Sequence, residues 1–122
     1  MTNTNTRQAG NDGEDFACAY IREQGMKILA RNFRFGRDEI DIVAKDGDAV
    51  VFIEVKARQS TVMGRPEEAV TAAKRRAIIH AATGYLKQNG LLDSRIRFDV
   101  AAICGQEIKY IRAAFDGTGA LI

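Results

Sequence analysis

The sequence predicts an α/β domain in which a mixed β-sheet is flanked by helices, and three observations carry that prediction. Two stretches with helical apolar spacing, 12–24 and 67–88, alternate with strand-like segments in the order helix, three strands, helix, two strands. An Asp46-Gly47 pair separates two alternating segments and marks a β-hairpin. A helix then lies between the third strand and the last two, so antiparallel pairing is combined with a crossover and the sheet is mixed. At 122 residues the chain is one small domain, long enough to bury a single core without disulfides or a structural metal.

Residues 1–11 are polar and low in complexity and are expected to form a disordered tail. Asp12 is the predicted N-cap of the first helix, with Glu14 and Asp15 in its first turn and Gly25 as its stop. Phe16, Ala17, Tyr20 and Ile21 form its apolar stripe. A strand follows over 26–35, and the hairpin occupies 37–44 and 49–58. Residues 59–66 hold Gly64 and Pro66, the only proline, and read as a loop. In the second helix Val70, Ala73, Ala77, Ala81, Gly84 and Tyr85 share one side, and the small residues among them predict close packing on the sheet. Two strands, 95–103 and 107–113, meet at Gly105-Gln106. The domain is thus placed at 12–116, with 117–122 as a C-terminal tail.

A content of 46% apolar and 28% charged residues is that of an ordinary soluble globule. No apolar run approaches the roughly 20 residues that span a bilayer, and residues 1–7 lack the apolar segment of a secretory signal. A cytoplasmic protein without a membrane partner is expected. Cys18 and Cys104 are too few and too isolated for a zinc cluster or a disulfide framework and read as buried reduced thiols. The net charge of +2 names no partner, but between Lys56 and Arg76 six cations (Lys56, Arg58, Arg65, Lys74, Arg75 and Arg76) face only Glu67 and Glu68. Such a patch suits phosphates, and it equally suits a solvated loop and helix surface.

The hairpin carries the chemistry. A two-residue turn at Asp46-Gly47 pairs Lys45 with Asp48, Val43 with Val50, Asp41 with Phe52 and Glu39 with Glu54. Asp41 and Glu54 become diagonal neighbours on one face, about 7–8 Å apart between Cα atoms. Ile40, Ile42, Ala44, Val51, Ile53, Val55 and Ala57 occupy the other. Two carboxylates so placed are hard oxygen ligands for Mg²⁺ or Mn²⁺, and Lys56 adds a cation two residues on. These are the parts that phosphodiester hydrolysis needs: an activated water and compensation for charge on phosphorus. The same residues also suit the solvent face of a half-exposed sheet, with Glu54 and Lys56 in cross-strand ion pairs. Glu14 alone reads as a complement to the helix dipole. Asp99 is a ligand, an arginine's partner or an exposed strand residue, and His80 is a helix-surface or packed histidine. With one histidine and no glycine-rich phosphate loop, histidine-metal nuclease sites and nucleotide hydrolysis by that loop fall away.

Glu14, Asp41 and Glu54-Val55-Lys56 together resemble the PD-(D/E)xK nuclease superfamily, whose restriction-endonuclease-like fold gathers a helix Glu, a strand Asp and an E-x-K strand. The likeness extends to the YraN-type endonuclease family, a relative of the archaeal Holliday-junction resolvases. Its motifs are matched by Gly13-Glu14-Asp15-Phe16-Ala17, Arg31-Asn32-Phe33-Arg34 and Asp38-Glu39-Ile40-Asp41-Ile42-Val43. Further matches are Phe52-Ile53-Glu54-Val55-Lys56-Ala57-Arg58, Lys74, Arg97-Phe98-Asp99-Val100 and Ala114-Phe115. E-x-K alone is common by chance; the ordered set over 12–116 is specific. Asp38 departs from the pattern, which has Gly before Glu-Ile-Asp.

The resemblance implies a DNA endonuclease dependent on Mg²⁺ or Mn²⁺ and acting on branched or junction DNA in repair or recombination. Asp41 and Glu54 would be its central ligands, helped by the Val55 carbonyl, with Glu14 as an outer or second-metal ligand. Lys56 would position the water or stabilise the transition state. Arg58, Arg65 and Lys74 would hold the DNA backbone. Junction cutting by paired sites would require a homodimer. The alternatives are a non-catalytic nucleic-acid-binding or adaptor module that keeps the fold, and a protein-interaction component of a DNA-processing complex.

Overall fold

The computed structural model describes residues 5–57 and 70–122, with side chains from Asp12 onward in the first helix. Its order is α1 (Asn5–Glu23), β1 (Lys27–Phe35), β2 (Asp38–Asp46), β3 (Ala49–Ala57), α2 (Ala72–Gln88), β4 (Arg95–Cys104) and β5 (Glu107–Phe115). The five strands form one sheet in the order β1-β2-β3-β4-β5. Only β3 and β4 run parallel, joined through α2, so the sheet is mixed as expected. Among the described residues no helix is long and apolar enough to cross a membrane.

The two helices cover opposite faces. Ala17, Cys18 and Ile21 of α1 pack with Met26, Ile42, Ala44, Val51, Ile53, Ala101 and Ile103. On the other face Ile78, Ala81, Ala82, Tyr85 and Leu86 of α2 meet Ile40, Val43, Val50, Phe52, Phe98 and Val100. With both faces covered, β3 and β4 are near-continuously buried, as a parallel central pair requires. Below α2 an aromatic row runs across the sheet. Phe52 and Phe98 stack at 5.6 Å between ring centres, and Phe98 and Phe115 at 4.9 Å.

Several boundaries differ from expectation. α1 begins at Asn5, so the helix enters the segment read as a tail, and Asp12 lies inside it instead of capping it. Residues 5–12 contain no proline, and Gly10 costs helix stability without removing a hydrogen bond. The buried stripe is Ala17, Cys18 and Ile21, with Phe16 and Tyr20 half-buried at its rim. The predicted stop holds: Gly25 has φ 90°, and Gly25 and Met26 donate N–H bonds to the Arg22 and Ile21 carbonyls at 2.9 and 3.2 Å.

α2 starts later than 67 because Thr71 is its N-cap, with the hydroxyl accepting from the Lys74 N–H at 3.1 Å. Val70 is buried ahead of the helix, while Ala73 is exposed. Gly84 does sit on the packed side. A Cβ there would lie 2.4 Å from Phe35 Cγ, in the fixed part of the ring. Gly84→Ala is therefore expected to destabilise the domain by about 1–3 kcal/mol through overpacking. A urea midpoint equal to the parent's would show that β1 yields freely.

The hairpin register is corrected. Asp46 faces Ala49, Lys45 faces Val50, Val43 faces Phe52 and Ile42 faces Ile53. The two-residue loop is Gly47-Asp48, with the glycine first at φ 61°, where Asp-Gly was expected to fill both loop positions. Each residue's partner moves by two, so parity is kept and no side chain changes face on that account. Glu39 does not oppose Glu54; it faces Arg34 of β1.

The C-terminal residues lie back on the sheet. Leu121 bridges to Phe115, and the Ile122 N–H donates to the Ala114 carbonyl at 3.2 Å. Arg75 fastens this segment to the start of α2, donating at 2.6 Å to both the Gly119 and Val70 carbonyls. Both cysteines are free, Cys18 buried and Cys104 partly so.

Candidate functional site

The ladder between β2 and β3 ends at Ile42–Ile53, and continuing the count sets Asp41 opposite Glu54. Past that point a side chain replaces the missing main-chain partner: the Val55 N–H donates to Asp41 Oδ2 at 2.8 Å. This bond fixes the Asp41 carboxylate between the two strands. An extended residue turns its N–H and C=O to the same edge, so the Val55 carbonyl also faces β2. Ile40 packs on the α2 side although alternation from Ile42 would place it with α1. The strand therefore turns at Asp41, the residue between them.

Glu54 shares the face of Phe52 and is buried at 6% exposure. Its carboxyl is pushed up to about 8, chiefly by burial and then by the negative charge of Asp41, with Lys74 and Lys56 pulling the other way. The Asp41 carboxylate is near enough for its charge to oppose ionisation of Glu54. Lys74 Nζ lies 3.8 Å from Glu54 Oε2, while Glu54 Oε1 is buried without a hydrogen-bond partner.

Glu14 approaches from α1. Its carboxyl is also raised, first by burial and then by Asp41, and is drawn back by Asn32 and Arg31. Arg31 stands 3.5 Å from Glu14 Oε1 and 2.8 Å from Asp15 Oδ1, and Oε1 is the second buried oxygen without a hydrogen bond. Asn32, which pulls the Glu14 carboxyl down, sits in the left-handed region at φ 54°, a conformation that Asn tolerates better than most residues. Arg31 and Asn32 carry the resemblance of β1 and have no predicted part in the site.

The structure thus links Glu14, Asp41, Glu54 and Lys56 through their mutual electrostatics, and it brings Lys74 to the carboxylate. Arg58 and Arg65 lie outside the described residues. Hard oxygen donors, two of them orphaned and buried, suit a divalent cation such as Mg²⁺ or Mn²⁺. Among the described residues, however, no three His, Cys, Asp or Glu side chains converge closely enough to hold a metal ion. The fit rests on the Asp41–Glu54 pair, with Glu14 outside it.

Two other polar residues have structural partners. His80 is exposed, with Nδ1 2.7 Å from Asp38 Oδ2 and its ring edge-on to Phe35. Asp99 is 1% exposed and fully satisfied. It accepts from Arg97 Nε and Nη2 at 2.9 and 3.0 Å, from the Tyr110 hydroxyl at 2.6 Å and from the Ala113 N–H at 2.9 Å. Of the three readings of Asp99, the arginine's partner holds.

Residues 13–103 match the uncharacterised protein family UPF0102. A UPF0102 protein of Chlorobaculum parvum is 47% identical over 118 residues, covering 87% of this chain and 90% of its own. One from Lachnoclostridium phytofermentans is 45% identical over 116 residues, covering 94% and 98%. A third, from Anaeromyxobacter dehalogenans, is 43% identical over 118 residues, covering 93% and 88%. The match takes in α1, the hairpin, α2 and β4, the elements that carry every described candidate residue, and by that measure the chain belongs to the UPF0102 family.

Proposed function

We propose that this protein is a metal-dependent endonuclease that hydrolyses DNA phosphodiester bonds, with branched or junction DNA as its substrate class. The observation that carries this reading is the Asp41–Glu54 carboxyl pair at the end of the β2–β3 ladder, with an orphaned buried oxygen and lysines beside it. Burying the Glu54 carboxyl beside a second, partly buried one is costly, and a site that meets such a cost is a functional candidate. The resemblance to the PD-(D/E)xK superfamily and its YraN-type members supplies the reaction class.

Asp41 and Glu54 would hold Mg²⁺ or Mn²⁺ with the Val55 carbonyl, and Glu14 would serve as an outer ligand. The bound cation supplies an activated water and neutralises the phosphate. The chain's own residues do the rest. The Val55 N–H fixes the Asp41 carboxylate. Lys56, on the face of Glu54, orients the attacking water or compensates charge on phosphorus. Arg58, Arg65 and Lys74 are assigned to the DNA backbone, and a cytoplasmic location and a homodimer fit such a substrate.

Incubation with Mg²⁺ or Mn²⁺ and a panel of junction, flap, nicked and single-stranded DNAs tests the reading. At least one structure should be cut, and Asp41→Ala and Glu54→Ala should each lower the rate by at least about 10²–10³-fold, the usual cost of losing one group that stabilises transition-state charge. Absence of cutting, or variants as active as the parent, would reject it. The lack of three converging ligands among the described residues favours a second reading, a DNA-binding module that keeps the fold. Calorimetry separates the two: the module binds DNA in a salt-sensitive way and takes up no Mn²⁺.

A further inference from the structure

We propose that Lys74 is an exchangeable partner of Glu54: it neutralises this carboxylate in the resting protein and gives it up to a divalent cation in exchange for a DNA phosphate. The proposal rests on the nuclease reading above and assigns Lys74 a second position within it.

Four observations lead there. The contact is an ion pair and not a hydrogen bond, since 3.8 Å from Nζ to Oε2 exceeds the 2.7–3.2 Å range of N–H···O bonds. Lys74 therefore offsets the charge of Glu54 without satisfying its oxygens, and Oε1 stays unpartnered. A hard cation would satisfy such oxygens directly, and the two positive charges would then repel.

The backbone at Lys74 is fixed while the side chain is free. Thr71 caps its N–H, and the two bonds from Arg75 tie the next residue to the Val70 and Gly119 carbonyls. The Lys74 side chain is 43% exposed, against 7% for Glu54, so it can swing toward solvent while its root stays in place. Lys74 also stands in the first turn of α2, which holds no acidic residue. The helix dipole disfavours a cation there, and an anion is the natural counterpart of that position. Glu54 supplies the anion at rest; a phosphate would supply it when DNA is bound.

Mn²⁺ affinity of Lys74→Gln, measured by calorimetry on the full chain, tests the exchange, with Lys74→Arg and the distant Lys87→Gln as controls. Removing the competing charge should tighten Mn²⁺ binding by roughly ten-fold, the order expected for one unit charge within a few ångströms of a near-surface site. Lys74→Arg and Lys87→Gln should bind Mn²⁺ like the parent. DNA binding in Ca²⁺ should weaken for Lys74→Gln, and the slope of log affinity against log salt should fall by about one phosphate contact. Unchanged or weaker Mn²⁺ binding by Lys74→Gln overturns the exchange and leaves the nuclease reading standing. A parent that takes up no Mn²⁺ overturns both.

Discussion

Replacing Asp99 by alanine is expected to cost the fold about 3–5 kcal/mol, the loss typical of removing one member of a buried ion pair. The carboxylate is the only described partner that joins Arg97, Tyr110 and the Ala113 N–H at once. Its loss leaves a half-buried guanidinium, a hydroxyl and a main-chain donor short of bonds in a region closed by α1. The electrostatics show how tightly the group is tied in. Burial works against the Arg97 charge, but hydrogen bonds to Asp99 and Asp46 outweigh it and hold the guanidinium above its ordinary range. Tyr110 is held well above the usual phenol range, by burial first and by the charge of Asp99 next.

Asp99 also anchors strain. Ala113 has φ 53°, a left-handed conformation that costs an alanine about 1–2 kcal/mol, and its N–H is held by Asp99 Oδ1 where the β4–β5 register shifts. Tyr110→Phe removes one bond from the network and should cost only about 1–2 kcal/mol. The measurement is the urea-unfolding free energy of both variants. A loss below about 1 kcal/mol for Asp99→Ala would mean that water replaces the carboxylate without strain, against the burial found here. Because Asp99 lies on the α1 face beside Ala101, away from Glu54, this loss should appear as instability and not as a change in metal affinity.

The contrast between Asp99 and Glu54 bears on how far the sequence could be read. Both are single acids in apolar strands, and nothing local distinguishes them. Arg97 lies two residues before Asp99 on the same face, a partner within reach of the strand itself. Glu54 has Lys56 at the equivalent spacing, yet its ion pair is with Lys74, which arrives through the crossover helix. Long-range placement decided the difference. The hairpin was legible for a different reason. Its register was misread by two residues because a glycine in first position of the loop was not distinguished from one in second. Side-chain faces repeat every two residues, so the observed register brings Asp41 nearer to Glu54 than the expected one and keeps both on one face.

Helix ends were less legible. Thr71, three residues before Lys74, is an ordinary N-cap signal that the apolar pattern beginning at Val70 concealed. The breadth of α1 follows from residues such as Thr6, Arg7, Gln8 and Ala9, which oppose a helix no more than they demand one. The turn of the strand at Asp41 had no signal in the sequence at all. It depends on the Val55 N–H meeting a side chain in place of a main-chain carbonyl.

Glu54→Gln is expected to abolish metal-dependent cutting and yet to stabilise the protein in EDTA. The folded Glu54 carboxyl is raised from 4.5 to about 8, first by burial and then by Asp41. A raised acid favours folding when protonated. Its contribution is thus fully present below the unfolded value near 4.5 and is lost progressively as the pH rises to about 8. Glutamine keeps the neutral form at every pH. The variant and the parent should therefore be equally stable near pH 4 and diverge above it. Beyond pH 8 the variant should lead by an amount on the order of a few kcal/mol. Its amide also leaves Lys74 without a charged partner, which trims the gain without reversing it, because burial and Asp41 outrank Lys74. Added Mn²⁺ should close the gap at pH 8 by stabilising the parent alone, since a ligand that binds only the folded state raises its stability with concentration. Thermal melts of both proteins across pH 4–9, with and without Mn²⁺, measure each part of this. A variant less stable than the parent at pH 8 in EDTA would show that the Lys74 ion pair outweighs burial and the charge of Asp41, against the order of effects at Glu54.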